Sequence, residues 1–224
     1  MFVSHKFKCV YMSPPKTGTT SIRRALEIIG AEPFIWGEEE GIWESHNPTA
    51  DTHYFDPHGH GSLKHRCHLP KELASYYVFA SVRNPYTRQI SRHLQEKWDR
   101  QFHCQNEDVD KILPSQLEFE KFTFGTRTSP QFSCSGWLNL YPDHRPPKGC
   151  VPFNISRFVK LETISQDFNS LPFVPEKIEF PHKNTCKYPG VSLHFTTRMS
   201  KHLFDTMKAD FENFNYDAVE IKIL

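Results

Sequence analysis

Short apolar runs alternate along this chain with stretches of helical period. Lys8 to Ser13 (KCVYMS) is a compact apolar run closed by Pro14-Pro15, the pattern of a short buried strand. Directly after it, Ile22, Ala25, Leu26 and Ile29 recur at i, i+3, i+4 and i+7. This predicts a helix over Thr19 to Gly30, with Gly30 as its stop. Tyr76 to Val82 (YYVFASV) is aromatic and β-branched, apolar enough for a strand covered on both faces. Past the Asn84-Pro85 break a helix is predicted from Tyr86 to about Phe102, with Ile90, Leu94 and Trp98 on one side. Further on, Pro70 to Ser75 reads as a helical turn, Ser115 to Phe124 as a helix and Arg157 to Leu161 (RFVKL) as a third strand. Thr163 to Asn169 reads as a short helix. Met199, Leu203, Met207, Phe211 and Phe214 form one stripe, predicting a single helix over Thr197 to Phe214. Residues 37–66 and the Pro-rich segment from Tyr141 to Pro152 have no period and read as loops.

Strands alternating with helices predict an α/β fold with a central, mostly parallel sheet flanked by helices. The 224 residues suit a single domain, 1–224, since no repeat or linker divides them. Hydrophobic residues at 38% and aromatics at 14% exclude a disordered chain. Lys and Arg number 27 against 26 for Asp and Glu, and neither sign collects in a tail. Nucleic acid and membrane surfaces are therefore not expected as partners, and any anion site must be local. No apolar run approaches the ~18 residues of a membrane span. The opening MFVSHKFKCVYMS lacks a secretory signal pattern, so a cytoplasmic location is the default, with the Golgi lumen expected for an excised catalytic domain. The six cysteines are dispersed and contain no CxxC pair, so reduced thiols are expected. In a lumenal setting, bridges among Cys104, Cys134 and Cys150 become plausible.

Chemistry concentrates at two strand-to-helix junctions. The first is PPKTGTTS, Pro14 to Ser21. A glycine there permits a tight turn against an anion, and the helix start behind it offers N–H groups and the positive dipole end. Thr19, Thr20 and Ser21 add hydroxyls, and Lys16 adds a point charge, which together make a phosphate or sulfate cradle. The order is not that of a Walker A loop, because Lys16 precedes the only glycine. An ordinary turn with a threonine N-cap would also use these residue types. The second junction is VRNPYTRQISRHL, Val82 to Leu94. Arg83 at a strand end could grip a second phosphate with a bidentate guanidinium, with Ser91 as a further donor.

These two segments resemble a known family. PPKTGTTS followed by VRNPYTRQIS is similar to the 5′-phosphosulfate loop and the 3′-phosphate motif of sulfotransferases that use 3′-phosphoadenosine-5′-phosphosulfate (PAPS), closest to the carbohydrate branch. HLPKEL, RFVKLETISQDF, HKNTCKY and DFENFNYD are weaker echoes. The resemblance implies a P-loop-like sulfotransferase fold and transfer of a sulfuryl group to a saccharide or small alcohol hydroxyl, with 3′,5′-adenosine bisphosphate as product. It implies that Lys16 stabilises charge on the leaving phosphate and that Pro15, Thr17, Gly18, Thr19, Thr20 and Ser21 line the 5′-phosphosulfate site. It assigns Arg83 and Ser91 to the 3′-phosphate. Arg88 matches a motif position too, although a structural ion pair would suit it equally. Positioning and charge stabilisation carry such a transfer, so no metal is expected. The Arg-Lys-Gly element of cytosolic hormone and phenol sulfotransferases is absent, which points away from that branch.

A transfer to a hydroxyl calls for a base, and histidine is the commonest. His46, His53, His58, His60, His65 and His68 all precede the aromatic strand; by family spacing His68 in HLPKEL is the expected base, with His65 and Glu44 as alternatives. The cluster His58, His60, His65 and Cys67 fits no standard zinc spacing. Glu162, His182 and Asn184 match weaker family positions, and Trp36, Trp43, Tyr54 and Trp137 could stack on a sugar. Two rival readings are a nucleotide-dependent, kinase-like phosphotransferase and a non-catalytic protein that binds PAPS or its product.

Overall fold

The computed structural model describes residues 2–31, 68–103, 115–125, 128, 133–138, 150–152, 154–181 and 193–218. In chain order its elements are β1 (Phe2–Ser4), β2 (Cys9–Met12), α1 (Thr19–Ile28), β3 (His68–Pro70), a 3-10 turn (Lys71–Leu73), β4 (Tyr77–Val82) and α2 (Pro85–His103). There follow α3 (Gln116–Thr123), α4 (Cys134–Trp137), β5 (Cys150–Pro152), β6 (Arg157–Lys160), a 3-10 turn (Leu161–Thr163), α5 (Ile164–Asn169), α6 (Thr197–Thr206) and α7 (Lys208–Phe214). The chain has an α/β fold. Its four-stranded sheet runs β1-β2-β4-β6; β2, β4 and β6 are parallel, and β1 adds an antiparallel edge. β3 and β5 form a separate antiparallel pair.

Three differences from the sequence pattern have physical causes. β1 is only three residues long, too short to show an alternation. β5 turns the end of the segment expected as loop into a strand, and it too has three residues. The C-terminal stripe is carried by two helices rather than one: the backbone turns at Met207 (φ −113°, ψ 27°), yet Met207 stays buried, so the stripe continues across the break.

The contacts gather the chain into two compact units, residues 1–82 with 136–184, and residues 83–135 with 185–224. In the first, the register sets Phe2 opposite Tyr11 and Tyr11 opposite Phe79, so three rings lie side by side on one sheet face, with centroids 5.8 and 5.0 Å apart. α1 lays Ile22, Ala25 and Leu26 on these rings and α5 adds Ile164 and Phe168. Each of the isoleucine, leucine and phenylalanine side chains taken from water contributes about 1.5–3 kcal/mol. Val78, Ala80 and Val82, on the alternate positions of β4, are also buried, as expected of a parallel strand covered on both faces.

The second unit is built round Tyr86, Phe119, Phe195, Met199, Leu203, Met207 and Phe211. Tyr86 meets Phe195 and Phe211 edge-on, a geometry that ring quadrupoles favour. α3 opens with a capping box between Ser115 and Glu118, and α6 with a Thr196 cap. Fully buried Asp210 accepts the backbone N–H groups of Cys134 (2.7 Å) and Ser135 (2.6 Å), anchoring the start of α4. Among the described residues no helix is long and apolar enough to cross a membrane.

Candidate functional site

The loop between β2 and α1 carries the first set of expected residues as one continuous turn. Lys16 has φ 68° and Gly18 φ 88°, so the backbone is left-handed on both sides of Thr17. At Gly18 an L side chain would be strained, and an added Cβ would come within 2.7 Å of Leu161 Cδ1. Lys16 adopts its positive φ without that freedom, at a cost of order 1–3 kcal/mol, the kind of strain that gathers at ligand sites. Left-handed residues of this sort curve backbone N–H groups into anion-binding concavities.

Gly18 is also the N-cap of α1, and it has no side chain with which to cap. The alternative reading of an ordinary turn with a threonine N-cap is therefore not what the structure has. Serine and threonine do cap α3 and α6, whereas at α1 Thr19, Thr20 and Ser21 all lie inside the helix. Its first turn holds no carboxylate. The Thr19 hydroxyl oxygen is buried with no hydrogen-bond partner among the described residues. A ten-residue helix whose positive end is left for an outside anion gives this pattern. Lys16, Pro15, Gly18 and Thr19 are half-buried, Thr20 is exposed and Ser21 is buried.

Thr17 departs from its expected role. It is fully buried, and its hydroxyl donates to the Pro14 carbonyl (2.6 Å) and lies 2.5 Å from Ser81 Oγ. Its side chain therefore serves the loop's own shape, and what it can offer an anion is its backbone N–H.

The second junction opens α2 in the other unit. Asn84 Oδ1 accepts the Tyr86 N–H (2.9 Å), and its carbonyl accepts the Arg88 N–H (2.9 Å), with Pro85 at the first helical position. Arg83, half-buried, donates from Nε to Thr87 Oγ1 (3.0 Å), and Thr87 donates on to the Asn84 carbonyl (3.2 Å). Its guanidinium fork is thereby held in one orientation. Ser91 is half-buried on the same helix, while Arg88 is 1% exposed. Arg88 and Arg92 place positive charge near the Cys134 thiol, and the Asp210 carboxylate acts on it in the opposite sense. Burial dominates all of them and pushes that thiol up to about 12.

His68 begins β3, its backbone opposite Pro152; its side chain lies outside the described set. Glu44, His46, His53, His58, His60, His65, Cys67, Trp36, Trp43, Tyr54, His182 and Asn184 also fall outside the described residues. Glu162 is exposed in the turn after β6, and Trp137 is half-buried in α4. No group of His, Cys, Asp and Glu among the described residues is arranged to hold a metal ion.

A family model described as the sulfotransferase family matches residues 1–217, nearly the whole chain. The chain belongs to the sulfotransferase family. No curated protein and no solved structure matches it. Membership makes the protein a transferase of sulfuryl groups, and the α/β sheet with a turn and helix following β2 is consistent with that chemistry. Sequence reading missed the sulfotransferase's supporting hydroxyls, Tyr11, Ser81 and Thr87. One signal was available for Ser81, a polar residue inside an otherwise apolar strand, YVFASV.

Proposed function

We propose that this sulfotransferase takes its sulfuryl group from PAPS and passes it to a hydroxyl of a saccharide or small alcohol, with residues 1–224 acting as one catalytic domain. The observation that carries the reading is the uncapped, carboxylate-free start of α1 behind a left-handed Lys16–Gly18 turn, with Thr19 Oγ1 buried and unbonded among the described residues. That arrangement fits an anionic phosphosulfate. When bound, PAPS supplies an activated sulfuryl group: the acceptor oxygen bonds to sulfur as the bond from sulfur to the 5′-phosphate oxygen breaks, and 3′,5′-adenosine bisphosphate leaves. Lys16 offsets the charge that grows on that oxygen. The backbone of Thr17 and Gly18 and the first residues of α1, with the hydroxyls of Thr19, Thr20 and Ser21, hold the 5′ end. Arg83, oriented by Thr87, and Ser91 hold the 3′-phosphate. Arg88 is too deeply buried to act as an open surface charge and supports that helix from within. His68 takes the acceptor's proton. The sequence RNPYTRQIS supports an acceptor of the carbohydrate type.

The test incubates the protein with labelled PAPS and a panel of hydroxyl compounds, beside Lys16→Ala and Arg83→Ala. Loss of one aimed charge should reduce turnover by about 10²–10³. Undiminished transfer in both variants would refute the assignment. A thermal-shift titration separates the kinase-like alternative, which should respond to ATP with magnesium rather than to 3′,5′-adenosine bisphosphate.

A further inference from the structure

Behind the phosphate loop, three buried hydroxyls run in a line from the sheet to the turn. Tyr11 Oη lies 2.6 Å from Ser81 Oγ, Ser81 Oγ lies 2.5 Å from Thr17 Oγ1, and Thr17 Oγ1 lies 2.6 Å from the Pro14 carbonyl. All three side chains are 0% exposed. Proton counting fixes the direction of the chain. A carbonyl can only accept, so Thr17 must donate its single proton to Pro14; Ser81 must then donate to Thr17, and Tyr11 to Ser81. Each bond polarises the next in a dry interior, which strengthens all three.

The line begins on rigid ground. Tyr11 stacks on Phe2 and Phe79, and Ser81 follows Phe79 by two residues on β4, on the same sheet face. It ends on the one residue flanked by two left-handed neighbours, Lys16 and Gly18. Thr17 is thus tied at once to the sheet and to the residue that opens the turn. A bend over Pro14–Gly18 that strains a non-glycine residue persists only when its surroundings over-determine it, and this chain of hydroxyls is what does so.

We infer that Ser81 and Tyr11 are positioning residues for the donor: they never touch it, and they hold Thr17 so that Lys16 and the following N–H groups stand in their anion-binding arrangement. The inference rests on the donor reading given above. Ser81→Ala deletes one oxygen and with it both bonds that join Tyr11 to Thr17. Tyr11→Phe deletes only the first bond and keeps the ring. Thr17→Val removes the hydroxyl at nearly constant volume, and Thr17→Ser restores it.

Two readouts test this in the full chain. The first is amide hydrogen exchange of residues 13–21 in the ligand-free protein, and the second is the Kd for 3′,5′-adenosine bisphosphate together with KM for PAPS and for the acceptor. Ser81→Ala and Thr17→Val should speed exchange in this segment and weaken nucleotide binding and KM for PAPS by about tenfold, the equivalent of 1.4 kcal/mol. Acceptor KM should not change. Tyr11→Phe should give a smaller loss of the same kind, and Thr17→Ser should recover wild-type values. Should Ser81→Ala fail to fold, Tyr11→Phe carries the comparison, since its ring packing is intact. Wild-type affinity and exchange in Tyr11→Phe, Ser81→Ala and Thr17→Val would overturn the positioning role while leaving the donor reading in place. A wild-type protein that does not bind the nucleotide would instead overturn the donor reading, and the positioning role with it.

Discussion

Replacing Gly18 with alanine tests the phosphate loop at its tightest point. Two costs can be worked out. The first is torsional: φ of 88° lies in the left-handed region, where a Cβ costs roughly 1–2 kcal/mol. The second is steric. The new methyl would stand 2.7 Å from Leu161 Cδ1 and 3.2 Å from Ile164 Cδ1. Leu161 is half-buried and its terminal methyl can swing aside, at about 0.5–1.5 kcal/mol if it leaves its rotamer well. Ile164 is 5% exposed and has less room to move. Against both stands the smaller entropy of the unfolded chain once glycine is gone, about 0.4–1 kcal/mol. The balance is a loss of about 2 kcal/mol, which for a chain of this size lowers Tm by about 4–8 °C. Calorimetry reads the stability, and titration with 3′,5′-adenosine bisphosphate reads the site. A double-mutant cycle with Leu161→Ala divides the two costs: a steric origin predicts a coupling of about 1 kcal/mol, and a torsional origin predicts additivity. A Gly18→Ala protein that melts and binds as wild type would show that the left-handed turn and its close approach to Leu161 do not shape this site.

Other expectations follow from single contacts. Asp210→Asn leaves one of two buried backbone N–H groups facing an amide NH₂, so stability should fall by about 3 kcal/mol, seen as a lower urea midpoint with unchanged m. Burial raises the Cys9 and Cys134 thiols from about 9 to about 12. The unfolded chain therefore ionises them above pH 9 while the native state keeps the protons, so their stabilisation is complete below pH 9 and is lost as pH climbs toward 12. The expected slope is about 1.4 kcal/mol per pH unit per thiol, and Cys134→Ala should flatten the urea midpoint between pH 9 and 10.5. His68→Ala should reduce turnover by about 10²–10⁴ with nucleotide affinity kept; loss of nucleotide binding instead would place the base elsewhere.

What could be read in the sequence followed from how much burial each segment carries. β2, β4 and β6, α1 with Ile22, Ala25 and Leu26, and the stripe from Met199 to Phe214 were legible because a buried face imposes a period of its own. β1, β3 and β5 have three residues each, fewer than a period-2 pattern needs, and β3 and β5 are paired across some 80 positions of chain. The break at Met207 was hidden because its side chain stays in register with the stripe on both sides. For the candidate site, residue type and spacing alone pointed to Lys16 and Gly18, the two residues whose backbone is left-handed there. Thr17 is placed at the ligand by the family resemblance, which carries no information on where its side chain points. The structure shows that its hydroxyl donates to the Pro14 carbonyl three residues back and meets Ser81, 64 positions further on.

The loop that defines this site breaks several local rules at once. A lysine takes a left-handed φ, a helix starts without a side-chain cap although threonines and a serine stand beside it, and a buried threonine oxygen has no partner among the described residues. Other helices of the chain do have side-chain groups at their starts, a capping box on α3, threonine on α6, asparagine on α2 and an aspartate on α4. The start of α1 has no side-chain cap, as is also true of the shorter α5 and α7. Each departure has a counterpart elsewhere, a positive φ at Lys8 and uncapped starts at α5 and α7; at this loop they coincide, which fits the donor site proposed above. The rings of Phe2, Tyr11 and Phe79 then explain how the fold tolerates it, for they form a stiff floor beneath the loop, and the hydroxyl of Tyr11 carries that stiffness through Ser81 to Thr17. A packed sheet face is thereby converted into a fixed direction for one backbone turn, which is what an electrostatic catalyst needs most, since charges aimed in advance need no reorganisation when the reaction occurs.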